Sequence, residues 1–351
     1  MNDEDYMRRA LKLSLKGNPS PNPYVGAVLV KDGRITSEGY HRRAGMAHAE
    51  IEALKGKDAK GSTLYTTLEP CSHWGRTPPC TNAIIAAGVR EVVYAVEDPT
   101  EKVKGKEELR AAGIKVRSGI LRRECEKANE VFMKHSKTGV PFVVLKAAMT
   151  LDGQIATKTG QSRWMTGKAA RKEVHRMRSK YDAVLVGANT VLKDDPRLTA
   201  RIKGGRDPLR VILDGRLRIP LDAKVLKGRN VLIATTETAG RTKIKALEKK
   251  AEVLVCGKKR VDLEKLLREL GRRGITSVLV EGGAAVNYSF AKEGLVDKFV
   301  FFIAPKLLLG ENTPAMRGPG LRKMAEATRL RIETIGKIGE DVKVEAYPKT
   351  D

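Results

Sequence analysis

The chain has 351 residues, enough for two domains of ordinary size, each with its own core. Its 67 Lys and Arg against 42 Asp and Glu give a formal charge of +25, a balance that favours polyanionic partners such as nucleic acid, nucleotides or sugar phosphates. Four cysteines in a chain of this size exclude a disulfide scaffold. No apolar run approaches the ~18 residues that span a bilayer, and the acidic start Met1-Asn2-Asp3-Glu4-Asp5 is unlike a signal peptide, so a cytoplasmic protein with no membrane partner is expected. The cations are interleaved with acids, as in 243–252 and 262–273, which is the pattern of solvated helix surfaces. Glutamine occurs only at Gln154 and Gln161 amid abundant Lys, Arg and Glu, a bias found in proteins adapted to heat.

Residues 5–16 have helical spacing, with Tyr6, Met7, Ala10, Leu11 and Leu15 on one face. Residues 17–23 form a breaker-rich loop. A buried strand follows at 25–30, then the Asp32-Gly33 hairpin turn and a second strand at 34–39. A helix carries His48, Glu50 and Leu54. A strand at 62–68 delivers Cys71, and a helix at 80–87 stops at Gly88. Strand 91–96, helix 106–112, strand 114–117 and helix 121–134 complete an α/β layered half. The seam falls at Thr138-Gly139-Val140-Pro141, after which the pattern restarts. Strands at 142–148, 183–186, 209–213, 231–235, 252–255, 278–280 and 298–304 alternate with helices at 168–178, 242–250, 263–270 and 284–291. Segments 329–333 and 341–346 read as a closing hairpin, and 190–198 is polar, turn-rich and ambiguous by itself. There is no internal repeat.

The chemistry concentrates between His48 and Cys80. His48-Ala49-Glu50 and Glu69-Pro70-Cys71, with Cys80 eight residues further on, offer one imidazole and two thiolates. Three such ligands leave the fourth tetrahedral position of a zinc ion open for water, as catalytic sites require. Zinc lowers the pKa of its water from ~15.7 toward ~7. Glu50, two residues past the histidine, is placed to carry a proton from water to a leaving amine, the arrangement of zinc deaminases of nucleobases. A structural zinc site would need a fourth ligand, for which His73 or His41 would have to serve. Cys125 and Cys256 read as buried free thiols. Asn22, between two prolines, is by itself a turn former, and His41 by itself a polar surface residue. Val280-Glu281-Gly282-Gly283-Ala284-Ala285-Val286-Asn287 is a strand, a glycine-rich turn and a helix start. Amides at such a helix start bind phosphate, but the G-x-G-x-x-G fingerprint is absent, and a tight packing turn accounts for the segment equally well.

The run Thr67-Leu68-Glu69-Pro70-Cys71-Ser72-His73-Trp74-Gly75-Arg76-Thr77-Pro78-Pro79-Cys80 resembles, almost residue for residue, the bifunctional deaminase/reductase family of riboflavin biosynthesis. Cytidine and tRNA adenosine deaminases usually keep two residues between their cysteines; here there are eight. Thr150-Leu151-Asp152-Gly153, Ser162-Arg163-Trp164-Met165-Thr166, the run 187–196 and Val280-Glu281-Gly282-Gly283 resemble the reductase half of that family. The resemblance implies a cytidine-deaminase-like α/β/α layered domain over 1–140 and a dihydrofolate-reductase-like α/β domain over 141–351. It implies zinc on His48, Cys71 and Cys80, with Glu50 catalytic. Asn22 would bind the pyrimidine, and His41, His73 and Arg76 would line the pocket. In the second half it implies NADPH, touched by Ala148, Trp164, Thr190, Asp194 and the turn Gly283, Ala284, Ala285, Val286, Asn287, Tyr288 and Ser289. Ser162, Arg178, Leu198, Arg201 and Glu281 would hold the substrate, the arginines being suited to its phosphate. Matching is loosest over 215–274, and no residue there is assigned.

The expected function is therefore a two-step conversion of a small phosphoribosyl pyrimidine. The first half would deaminate 2,5-diamino-6-(5-phosphoribosylamino)pyrimidin-4-one. The second would reduce the ribosyl chain with NADPH to give 5-amino-6-(5-phosphoribitylamino)uracil, with no proton donor identified there. The competing reading is a base deaminase acting on nucleic acid, favoured by the zinc pattern and the charge. Against it stand the eight-residue cysteine spacing, the second half and an aromatic content of only 5% for base stacking, so no nucleic-acid partner is expected. A zinc-stabilised module that merely binds NADPH would be indicated if Glu50 were dispensable. The sequence leaves a homo-oligomer open.

Overall fold

Helix α1 (Asp3–Ser14) begins where the Asn2 side chain accepts from the Asp5 N–H and the Asp5 carboxylate accepts from the Asn2 N–H, each at 2.9 Å. This reciprocal cap satisfies two of the amides that a helix start leaves without partners and sets the helix two residues earlier than its apolar spacing predicts. Leu15, expected on the buried face, instead lies past the helix end and is 60% exposed. The structure is a computed structural model and describes residues 1–75, 78–100 and 102–349. The chain divides into two units, Met1–Gly139 and Val140–Asp351.

In the first unit α1 is followed by β1 (Gly26–Lys31), β2 (Arg34–Tyr40), α2 (Ala49–Leu54), β3 (Thr63–Leu68), α3 (Cys80–Ala86), β4 (Glu91–Val96), α4 (Gly105–Ala111), β5 (Lys115–Ser118), α5 (Arg122–Ala128) and α6 (Glu130–Thr138). The five strands lie in the order β2-β1-β3-β4-β5. β1 is antiparallel to β2 and β3, while β3, β4 and β5 are parallel. Two glycines let helices approach opposite faces. A Cβ on Gly26 would lie 2.0 Å from the Ala10 carbonyl oxygen of α1, and one on Gly39 would lie 2.2 Å from the Ala49 oxygen of α2. Gly39 pairs with Ala27, the neighbour of Gly26, and successive strand residues face opposite ways, so α1 and α2 sandwich the sheet. The helix expected over 121–134 is interrupted at Asn129, which separates α5 from α6.

The second unit comprises β6 (Phe142–Thr150), β7 (Gln154–Ala156), α7 (Lys168–Lys180), β8 (Ala183–Gly187), α8 (Ala188–Asp194), β9 (Leu209–Leu213), β10 (Val231–Thr235), α9 (Arg241–Glu248), β11 (Glu252–Val255), α10 (Leu263–Arg272), β12 (Ser277–Val280), α11 (Ala284–Lys292), β13 (Lys298–Ala304), β14 (Thr313–Pro314), β15 (Leu330–Ile338) and β16 (Asp341–Pro348). Nine strands form one sheet, β11-β10-β9-β8-β12-β6-β13-β16-β15, parallel through β13 and antiparallel over the last two pairings. β7 and β14 pair separately. Alternate residues of β8 feed two cores: Ala183 and Leu185 join one, Val184 and Val186 the other. Both faces of the sheet are therefore covered, as parallel strands demand. The polar, turn-rich stretch 190–198 is helical to Asp194 as α8, and the loop begins only at Asp195, where φ is +41°. Among the described residues no helix is long and apolar enough to cross a membrane.

Candidate active sites

In the first unit the end of β3, the cap of α2 and the start of α3 converge. His48 is the residue before α2, which Gly39 draws tightly onto β2. Cys71 follows β3, and its sulfur accepts from the Cys80 N–H at 3.3 Å where α3 begins. His48 Nδ1 lies 3.3 Å from Cys80 Sγ and 3.5 Å from Cys71 Sγ. Ligands about 2.0–2.3 Å from a tetrahedral zinc stand roughly 3.6 Å apart, so the donor set and its spacing fit that ion. Among the described residues this is the one group of His, Cys, Asp and Glu with metal-binding spacing. The two thiols share a hydrogen bond that holds Cys71 down at about 4 and drives Cys80 upward.

Glu50 is buried beside them, and that burial, reinforced by the Cys71 thiolate, pushes its carboxyl up to about 7. A carboxyl so poised both takes and gives a proton near neutrality. His41 supplies no fourth ligand. Its Nδ1 faces the Ala47 carbonyl at 2.9 Å, which can only accept, so Nδ1 carries the proton. Nε2 is then an acceptor for the Asn22 amide N–H at 3.0 Å. Asn22, His41, His48, Glu50, Cys71 and His73 all line one cavity of about 890 Å³. Its far walls are residues the sequence reading passed over: Asp98, Thr100 and Lys102 before α4, and Phe132, Ser136 and Lys137 on α6. Arg76 lies outside the described residues.

In the second unit Ala148, Thr190, Glu281 and Gly283 stand at or just past the C-terminal ends of three adjacent parallel strands, β6, β8 and β12, the kind of edge where open α/β sheets bind ligands. Ala148 stands near the end of β6, Glu281 follows β12, and Thr190 lies in α8 after β8. The Thr190 hydroxyl is 3.6 Å from where a Gly283 Cβ would sit. Gly283 caps α11 without a side-chain hydrogen bond, so the first amides of that helix are suited to a phosphate. Asp194 lies one turn beyond Thr190 on the same face of α8. Within the expected cofactor turn, Asn287 is buried and donates to the Ala315 oxygen at 2.9 Å, and the Tyr288 hydroxyl donates to the Pro319 oxygen at 2.9 Å. The Tyr288 hydroxyl is thus committed to an internal contact, whereas the buried Asn287 Oδ1 has no hydrogen-bond partner. Trp164 is 67% exposed with the Arg171 guanidinium 4.4 Å above its ring. Its carbonyl and that of Met165 accept from Lys306 Nζ at 2.9 and 3.0 Å, which fixes the loop that holds Ser162.

Arg178 and Glu281, both expected to hold substrate, bind each other through two bonds of 2.6 and 2.9 Å. The register Val280↔Leu145 between β12 and β6 adds Lys146, 3.6 Å from the same carboxylate. Burial alone would raise Glu281, but Arg178 and Lys146 outweigh it and hold the carboxyl at about 2. Burial in turn lowers Lys146. His175, one turn before Arg178 on α7, has a buried Nδ1 without a hydrogen-bond partner and is pushed down by burial and by Arg201 and Arg178. The sequence reading missed Lys146 and His175. A lone charged residue inside an apolar strand was the available signal for Lys146. Leu198 is buried in the core with φ +57°, so only its backbone can meet a ligand, whereas Arg201 is exposed.

A layered unit with a His/Cys/Cys centre and buried glutamate, followed by a parallel-sheet unit with a ligand edge, defines a two-domain deaminase–reductase. Residues 1–96 match the family described as the cytidine and deoxycytidylate deaminase zinc-binding region, and residues 141–344 match the RibD C-terminal domain. The chain is 45% identical to riboflavin biosynthesis protein RibD of Aquifex aeolicus over 97% of both chains, and 40% identical to that of Escherichia coli over 97% of this chain and 98% of the other. Acinetobacter baumannii RibD superposes with a TM-score of 0.91 at 38% identity over 99% of both chains. A Thermotoga maritima diaminohydroxyphosphoribosylaminopyrimidine deaminase/5-amino-6-(5-phosphoribosylamino)uracil reductase does so with 0.88 at 40% identity, over 99% of this chain and 98% of that one. The chain belongs to the RibD family, the bifunctional deaminase/reductases of riboflavin biosynthesis.

Proposed function

We propose that residues 1–140 deaminate 2,5-diamino-6-(5-phosphoribosylamino)pyrimidin-4-one with zinc held by His48, Cys71 and Cys80. Residues 141–351 would then reduce the ribosyl chain with NADPH. The observation that carries the first half is a buried carboxyl, Glu50, two residues from His48 and beside three ligand atoms that all lie within 4.8 Å of one another. Zinc bound there supplies Lewis acidity that lowers the pKa of a water. Glu50 takes the proton from that water as its oxygen bonds to the ring carbon bearing the 2-amino group, and then delivers the proton to the departing ammonia. The Asn22 carbonyl oxygen accepts from a ring N–H, with His41 holding the amide in that orientation. His73 closes the cavity rim, Arg76 adjoins it in sequence, and Lys102 and Lys137 bring positive charge to the cavity for the ribosyl phosphate.

In the second half NADPH supplies the hydride. The start of α11 at Gly283, Ala284 and Ala285 would cradle its phosphates, with Ala148, Trp164, Thr190 and Asp194 around it. Reduction places hydride on C1′ and breaks the C1′–O bond of the furanose. The proton needed by the released ring oxygen comes from the Lys146 ammonium, which lies 3.6 Å from Glu281. Since Arg178 is already neutralised by Glu281, the substrate phosphate falls to Arg201, with Ser162 and the Leu198 backbone beside it. A small-molecule substrate agrees with both sites being pocket or strand-edge features.

Glu50→Gln tests the deaminase reading. Zinc near one per chain with deamination reduced ~10²–10⁴-fold is the expected result. Loss of zinc together with activity would make Glu50 structural and overturn the role given to it.

A further inference from the structure

Two walls of the deaminase cavity come from segments more than a hundred residues apart in the chain, and one buried side chain ties them together. Asn129 Oδ1 accepts from the Tyr24 N–H at 2.8 Å, and Asn129 Nδ2 donates to the Tyr24 carbonyl at 3.0 Å. The side-chain amide thus pairs with the Tyr24 peptide as a neighbouring strand would, using both of its hydrogen-bonding ends on one residue. Tyr24 lies two residues from Asn22, in a loop with no regular structure to hold it. Its carbonyl also accepts from the Thr67 hydroxyl at 3.5 Å, four residues before Cys71. On the other side, Asn129 is the residue at which α5 ends and α6 begins, with φ −108°. Phe132 and Ser136, one turn apart on α6, and Lys137 line the cavity, as Asn22 does. Asn129 is 2% exposed and is itself absent from that lining.

We infer that Asn129 is a positioning residue of the deaminase: it sets the register between the Asn22 loop and α6, and so fixes where the Asn22 carbonyl meets the pyrimidine. The inference rests on the deaminase reading given above. Asn is suited to the task because it alone among side chains of its size offers one donor and one acceptor in the plane of an amide. Aspartate keeps the acceptor for the Tyr24 N–H but sets a carboxylate oxygen against the Tyr24 carbonyl.

The test is Asn129→Asp in the full-length, zinc-loaded enzyme. Repulsion between the new carboxylate oxygen and the Tyr24 carbonyl should open the pair, so hydrogen exchange at the peptide containing Tyr24 should accelerate, and zinc should stay near one per chain. KM for the pyrimidine should rise about 5–100-fold, the range expected when a two-bond contact is lost, with kcat within about twofold. If that variant does not fold, Asn129→Ser, too short to reach Tyr24, carries the same readouts. Wild-type deamination with an unchanged mutant KM and faster exchange would make the clamp structural only, and unchanged exchange would show that no clamp exists; either overturns the inference. A wild-type enzyme without deaminase activity would instead overturn the deaminase reading, and the positioning role with it.

Discussion

Glu281→Gln and Lys146→Met should separate stability from chemistry in the reductase unit. Glu281 stands between two cationic side chains that are only 10% and 13% exposed, Arg178 and Lys146. Removing its charge leaves two buried cations facing each other, and breaking a buried pair in this way costs about 3–5 kcal/mol. For a unit of this size each kcal/mol moves the melting midpoint by about 2–4 °C, so Glu281→Gln should melt roughly 6–20 °C below wild type. Lys146→Met removes the weaker contact, at 3.6 Å, and leaves Arg178 paired through both of its bonds. Methionine fills a similar volume, and such replacements cost under about 1.5 kcal/mol. The Lys146 variant should therefore melt within a few degrees of wild type while losing ~10²–10⁴-fold in reduction rate. Calorimetry and NADPH oxidation on the deaminated substrate measure both effects. Adding Arg178→Met to Glu281→Gln should recover part of the lost stability, because the two changes act on one contact. Equal melting of the two single variants, or the Lys146 variant melting lower, would refute the assignment of Glu281 as the shared counter-ion.

Cys71→Ala should empty the zinc site and stop deamination, while NADPH oxidation on already deaminated substrate stays within about twofold of wild type; loss of both activities in a folded protein would mean that they share one site. Burial would raise the Glu345 carboxyl, but Lys298 at 2.7 Å and Lys343 at 2.8 Å outweigh it and hold the group at about 2. A carboxyl lowered on folding stabilises above its unfolded pKa, near ~4.3, and loses that contribution as pH falls toward 2. Urea midpoints should thus drop between pH 5 and pH 2 in the wild type and change less in Glu345→Gln.

What the sequence disclosed was local chemistry. The His48, Glu50, Cys71 and Cys80 pattern could be read because zinc ligation demands specific residue types, and strand ends deliver them wherever the backbone leads. The alternation of apolar runs likewise located β1, β3, β4 and the parallel strands of the second unit. Side chains whose role depends on a distant partner could not be read. Lys146 meets Glu281 only because β12 pairs with β6, and Asn129 meets Tyr24 only after the first unit closes. Asn129 in a helical pattern looks like an ordinary weak helix residue, so one helix was expected where there are two. The polar, turn-rich composition of 190–198 hides α8, because the turn chemistry acts only at Asp195 and leaves the helix intact before it.

The position of β12 also sets an order of events during synthesis. β6 and β8 leave the ribosome early, but the slot between them stays empty until residues 277–280 have been made. Strand pairings this far apart in the chain form slowly, since the intervening loop must close before any contact rewards it. The first unit needs nothing beyond Gly139 for its own sheet and can fold while the rest is being translated. In the second unit Lys146 and Arg178 lack their counter-charge until β12 arrives bearing Glu281. Insertion of this late strand thus joins β6 to β8, neutralises Lys146 and Arg178 and brings Glu281 to the strand ends in one step, before β13, β15 and β16 extend the sheet.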